Sequence, residues 1–169
     1  MAFFAEPSLE PAEQAVVGAV STVLEIVLRD VLREELGQTY GVSVRLVQHL
    51  PQRGAGHFAV RFGADPQNIA SMTERVLTEV QRLQQEGPTE DLTQRAKESG
   101  RRAFETASRE NGFWLNQLQS AHLLGRDPAE ILRRAEHIAA VNPKAVQEAF
   151  RRYFPMDRYT VVTLVPATR

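Results

Sequence analysis

Apolar residues recur at three- and four-residue steps early in the chain: Val17, Val20, Leu24, Val27, Leu28 and Val31. That spacing lines one face of a 3.6-residue helix and predicts a long amphipathic helix over residues 9–36. Ser8 is its candidate N-cap, with Pro11 tolerated in the first turn. Gly37 stands where a helix end favours a residue free to adopt the left-handed conformation. The period then changes to two. Val42, Val44 and Leu46 alternate with Gly41, Ser43 and Arg45, and Phe58, Val60 and Phe62 alternate with His57, Ala59 and Arg61. Such alternation predicts two strands of a sheet with one buried and one polar face. Between them, Pro51-Gln52-Arg53-Gly54-Ala55-Gly56 reads as a hairpin loop.

The rest of the chain reads as mostly helical. Asp65-Pro66 is a cap-plus-first-turn signature, and Ile69, Met72, Val76, Val80 and Leu83 stripe the helix after it. Gly87-Pro88 breaks that helix. A charged, largely exposed helix is expected from Thr89 to Glu110, with a kink or short turn at Asn111-Gly112. Phe113, Trp114, Leu115, Leu118 and Leu123 form a further apolar helical segment, in which Trp114 and Phe113 read as core. Asp127-Pro128 and Asn142-Pro143 open two short helices, and Pro155 ends the second. Ala2 to Glu6 could be the tail of a first strand, and Tyr159 to Val165 reads as a last one. The order strand, helix, two strands, a run of helices, strand predicts an α+β fold. Its expected form is a split βαβ with helices packed on one face of a mainly antiparallel sheet.

Composition narrows the function classes. The chain has 169 residues, 43% apolar and 24% charged, enough for one domain (1–169) with a real core. A formal net charge of −1 gives no global argument for nucleic acid or an acidic membrane. Pairs such as Arg101-Arg102, Arg133-Arg134 and Arg151-Arg152 lie among acids, as on a solvated helix face. The absence of cysteine excludes disulfides, thiol nucleophiles and thiolate metal sites. No long apolar span predicts a transmembrane helix, and MAFFAEPS lacks the basic start and apolar length of a signal peptide.

No catalytic constellation stands out. The nearest approach to H-x-x-E-H is Arg133-Arg134-Ala135-Glu136-His137, where an arginine replaces the first ligand. A permanently charged guanidinium is a very poor metal ligand. His49, His57 and His122 are scattered singly, and His122 reads as a packed residue of an apolar helix. No G-x-S-x-G occurs, and Gly54-Ala55-Gly56 does not lead into a helix as a phosphate cradle would. No metal is therefore expected in this chain.

What remains is the corner where the long helix meets its strand. Arg33 lies in the last helical turn, and Tyr40 follows at the mouth of the strand. In one reading Arg33 complements the helix macrodipole and Tyr40 packs with its hydroxyl in water. In the other, a fixed cation and a phenol are presented together on stiff backbone. The polar sheet face beside them would carry Ser43, Arg45, His57 and Arg61, a candidate chamber wall. If Tyr40 already belonged to the strand it would share the core phase of Val42 and Val44, so a bulge or break at Gly41 is required for it to face outward.

Leu32-Arg33-Glu34-Glu35-Leu36-Gly37-Gln38-Thr39-Tyr40 resembles the L-R-E-x-x-G-x-x-Y signature of the C-terminal half of insulinase/pitrilysin-type zinc metallopeptidases, the inverzincins. FGADPQNIASM, LQQEGPTEDL and SRENGFWLNQL resemble the same domain in the bacterial periplasmic zinc-protease branch. The resemblance runs from about Glu10 to Val165. It implies a non-catalytic domain, part of a longer multidomain peptidase and inactive alone. It also implies a zinc-bearing catalytic half as partner, on the same or a separate chain, a peptide substrate and a periplasmic location. Carried over, Arg33 would donate to a substrate carbonyl and Tyr40 would stabilise the oxyanion, while nucleic-acid binding and membrane insertion are not expected. Two other readings stay open: a non-proteolytic scaffold domain of the same fold, and a free-standing small-ligand module using the polar sheet face. The peptidase-domain and scaffold readings expect a docking surface near Phe113 and Trp114 or at the N-terminal sheet edge.

Overall fold

The structure, a computed structural model, describes residues 1–6, 8, 10–36, 41–48 and 56–165, with the backbone alone for 33–36. Strand β1 (Ala2–Ala5) leads to helix α1 (Pro11–Leu36), then strands β2 (Val42–Gln48) and β3 (Gly56–Phe62). Helices α2 (Ile69–Gln85), α3 (Glu90–Ala107), α4 (Asn111–Leu124), α5 (Arg134–Ala140) and α6 (Pro143–Tyr153) follow, and β4 (Tyr159–Thr160) closes the order. Short 3-10 turns at Pro66–Asn68 and Pro128–Ile131 precede α2 and α5.

The sheet order is β2-β3-β1-β4, and every neighbouring pair is antiparallel. β1 and β2 are therefore parallel, joined through α1, with β3 inserted between them: the split βαβ expected from the chain order. The apolar phase of each strand faces the helices. Phe3, Val42, Val44, Phe58 and Val60 join Val20, Leu24 and Leu28 of α1, Met72, Val76, Val80 and Leu83 of α2, and Phe150 of α6 in one buried cluster. Each such side chain contributes about 1.5–3 kcal/mol on burial. Exposed pairs such as Glu25–Arg29 at 2.9 Å contribute about 0–1 kcal/mol. Core packing, not surface charge, holds these layers.

Helix ends explain the boundaries. Thr89 and Asn142 cap α3 and α6 by accepting the Leu92 and Ala145 N–H groups, and Asp65 and Asp127 do the same for the two 3-10 turns. α2 and α6 cap one another's C-termini. Gln84 Nε2 donates to the Phe154 carbonyl at 2.8 Å. In return Gln147 Nε2 donates to the Gln85 carbonyl at 2.8 Å and Arg151 Nε to the Gln84 carbonyl at 2.7 Å. These bonds satisfy carbonyls that a helix end leaves without intrahelical partners.

Several local expectations are corrected. The 9–36 helix begins at Pro11, while Ser8 Oγ accepts the Glu10 N–H at 3.2 Å, just ahead of it. Asn111-Gly112 is not a kink: residues 108–110 make the turn, and α4 starts at Asn111. Phe113 and Trp114 are only half-buried, against Phe104 and the Ser108 carbonyl, and stand outside the main core. Leu115, Leu118 and Leu123 are exposed, and so is His122, which is not packed. The last strand is shorter than Tyr159 to Val165. The register Ala2↔Thr160 places Met1 opposite Val161, and no described strand lies opposite residues 162–165.

Candidate functional site: a helix–strand corner and an open sheet face

α1 runs through Leu36, so the Arg33 backbone lies in its last turn. The Arg33 side chain, Gly37 and all of Tyr40 lie outside the described residues. β2 begins at Val42, and Gly41 immediately before it has φ +152°. That conformation favours glycine and interrupts the pleat. Helix and strand approach the corner on regular, well-packed backbone, with Leu32 and Val44 both in the core.

The antiparallel register gathers the polar-face residues. Ser43 pairs with Arg61, Arg45 with Ala59, and Val47 with His57. Side chains on directly paired positions share a face. Ser43, Arg45, His57 and Arg61 therefore stand on one surface, opposite the helical layer. β1 adds Phe4 across from His57, with ring centroids 6.0 Å apart. Arg45 and Arg61 are exposed and Phe4 is 47% exposed. None of the four strand sequences contains Asp or Glu. A sheet face with two guanidiniums and no strand carboxylate is locally positive and rich in donors. It can bind carbonyl or carboxylate oxygens of an extended ligand.

The zinc-like pentapeptide has another use. Arg133 Nη1 donates to Glu130 at 2.9 Å and its Nε to Glu136 at 3.3 Å, while His137 Nε2 lies 3.1 Å from Glu130. The His137 hydrogen bond, then Arg133, hold the Glu130 carboxyl below its ordinary value. The residues form a surface ion network around the start of α5. Among the described residues no group of three His, Cys, Asp or Glu stands together as a metal site. This donor set, with a guanidinium in place of the first histidine, does not fit zinc.

Sequence reasoning missed a cavity of about 650 Å³ between α1, α3, α4 and the 126–141 segment. The available signal was the run of small residues facing it, Ala15, Gly18 and Ala19 on α1 and Gly100, Ala103 and Ala107 on α3. Helix pairs with such surfaces leave space unless a third element fills it.

These features define an α+β domain with an exposed polar sheet face and, among its described residues, no group of metal-ligating side chains. Residues 1–99 match the family model described as the peptidase M16 inactive domain. The chain belongs to that family, a non-catalytic domain family of zinc peptidases. It is 32% identical to a zinc protease PQQL-like protein of Arabidopsis thaliana, an alignment covering 89% of this chain and 17% of the relative. The peptidase M16 inactive domain from Pseudomonas fluorescens superposes with a TM-score of 0.76 at 17% identity, over 93% of this chain and 38% of that one. The periplasmic protease PqqL from Escherichia coli gives 0.70 at 18% identity, over 90% and 17%. The chain thus spans about a sixth of the length of the curated relative it matches.

Proposed function

We propose that this chain is one wall of a peptide-cleaving chamber, a unit of a longer zinc peptidase that completes the site of a separate, zinc-bearing half. The observation that carries this reading is the position of the arginine–tyrosine corner: it falls within residues 1–99, the stretch that matches the inactive domain of the family. Arg33 binds a backbone carbonyl of the peptide. Its guanidinium is always charged and presents a rigid donor fork. Tyr40 donates its phenol to the oxyanion formed as water attacks, a contribution of about 3–4 kcal/mol in a water-poor site. The face carrying Ser43, Arg45, His57 and Arg61 continues the wall beside this corner and holds the peptide by its oxygens. Zinc is held by the partner half and supplies the activated water. The partner acts in the same or a separate polypeptide, in the periplasm, as the name of the PqqL relative supports for that protein.

The test is a reconstitution. Wild-type chain and Arg33→Ala/Tyr40→Phe are each mixed with the parent's catalytic half, and cleavage of a quenched fluorescent peptide is followed. Wild type is expected to restore zinc-dependent cleavage. The double variant is expected to bind the half equally well and to lose at least a hundredfold in kcat/KM, consistent with about 3–4 kcal/mol. Equal rescue by both proteins would leave the corner an architectural feature only.

A further inference from the structure

The cavity of about 650 Å³ lies on a face of α1 separate from the sheet, and its charges are unevenly committed. Five charged side chains other than His137 line it among the described residues: Lys97, Arg126, Arg134, Asp127 and Glu130. The acids are occupied. Asp127 Oδ1 accepts the Ala129 N–H at 2.9 Å, and Glu130 accepts Arg133 and sits 3.1 Å from His137. The cations are not. Among the described residues Lys97, Arg126 and Arg134 make no side-chain hydrogen bond or ion pair. Arg126 Nη2 is closed to solvent and has no acceptor. A buried donor left without a partner is costly, and native structures rarely keep one without a reason.

Its backbone is also fixed. α4 ends at Gly125, in the left-handed conformation at φ 65° and ψ 36°. The Gly125 N–H donates to the His122 carbonyl at 3.2 Å, and the Arg126 N–H donates to the Ala121 carbonyl at 2.8 Å. This paired closure sets where the Arg126 side chain departs. Arg134 reaches it from the first turn of α5. It is exposed as a residue and lines the cavity, and desolvation holds its guanidinium below the ordinary value.

We propose that this cavity binds an organic monocarboxylate with an apolar body, the carboxylate meeting Arg126 and Arg134 and the body lying against Phe104, Phe113 and Ile138. To present its fork to two carboxylate oxygens, Arg126 must turn its guanidinium, whose Nη2 is sealed and unpaired, into the cavity, and Lys97 adds charge without that geometry. The small positive excess suits a monoanion better than a polyphosphate. The apolar wall distinguishes an organic anion from an inorganic one, and the volume is that of a small-molecule site. Two sources share this chemistry: a free fatty or aryl acid, and the C-terminal carboxylate of a short apolar peptide. The inference does not rest on the chamber reading, since it is argued from Lys97, Arg126 and Arg134 alone.

Calorimetric titration of the 169-residue chain tests it, with octanoate, octanamide, inorganic phosphate, and N-acetyl-Ala-Ala-Leu with a free or an amidated C-terminus. Saturable one-site binding is expected for octanoate, for the free-acid peptide, or for both, and the pattern identifies the source. Each neutral amide is expected to bind at least tenfold more weakly than its acid. Arg126→Gln should weaken the acid at least tenfold. Gly18→Leu should abolish binding while leaving the helical spectrum and melting temperature intact or higher, because a Cβ at Gly18 meets nothing within 4 Å and its side chain occupies the cavity. No saturable binding of either acid would overturn the proposal. So would phosphate binding as tight as the acids', amide binding as tight as the acids', or acid binding unchanged in both variants.

Discussion

At the residue scale, the contact that joins the two ends of the helical layer is a phenol on a carboxylate. Tyr153 is 1% exposed, and its hydroxyl donates to Glu13 Oε1 at 2.6 Å. Arg152 Nη1 donates to the same oxygen at 3.1 Å. A buried phenol needs such a partner. Desolvation first, and then the hydrogen bond to Glu13, hold the Tyr153 phenol above its ordinary value. A raised folded value favours the neutral phenol. Its stabilising contribution is therefore complete below the ordinary tyrosine value of 10.0 and is lost as pH climbs through the higher folded value. Tyr153→Phe removes this bond but leaves Glu13 its arginine and access to water. A loss of about 1–2 kcal/mol is expected from urea unfolding at pH 7, and an unchanged midpoint would mean the bond adds nothing net. Absorbance titration should also show one tyrosine ionising later in the wild type than in any Tyr153→Phe sample.

At the element scale, two glycines make opposite demands. Gly18 is in the interior of α1, exposed, with open space around a would-be Cβ. Gly125 ends α4 at positive φ, where an L side chain is strained whatever the space. Gly18→Ala should stabilise the protein by about 0.5–1 kcal/mol through helix propensity. Gly125→Ala should destabilise it by about 1–2 kcal/mol. Paired thermal melts check both, and a shift in the same direction for the two would contradict the assigned backbone conformations. The elements also differ in how firmly they are held. α2 and α6 exchange side-chain caps through Gln84, Gln147 and Arg151. α4 instead presents Leu115, Leu118 and Leu123 to solvent.

At the scale of the molecule, residues far apart in sequence form one core. Phe154 lies 5.0 Å from Phe3, 4.7 Å from Phe58 and 5.3 Å from Phe150, ring centroid to ring centroid. The family match stops at residue 99, yet Val146, Ala149, Phe150, Tyr153 and Phe154 complete the cluster. Removing even one large buried aromatic costs about 3–5 kcal/mol, against a whole stability of about 5–15 kcal/mol for a typical domain. A fragment of residues 1–99 is therefore expected to show no cooperative melting by circular dichroism, while the 169-residue chain shows one. A cooperative transition in the fragment would mean that the split βαβ unit carries its own core.

The sequence by itself determined the local alphabet of this protein. The three-and-four spacing of α1, the two-residue alternation of β2 and β3, and the helix starts at Asp65-Pro66 and Asn142-Pro143 are set by neighbours within a turn or two, so they are visible in one dimension. Element order then implied the split sheet, because parallel β1 and β2 need a crossover and β3 can return between them. The common face of Ser43, Arg45, His57 and Arg61 was legible for the same reason: strand parity survives pairing. Only the tertiary structure decided the rest. The last strand stops at Thr160 because pairing depends on a register with β1, and the α4 leucines are exposed because no described element covers them. The uncommitted cations of the cavity come from three separate elements, Lys97 on α3, Arg126 beyond α4 and Arg134 on α5. No local pattern joins them, because their neighbourhood exists only once the helices have packed.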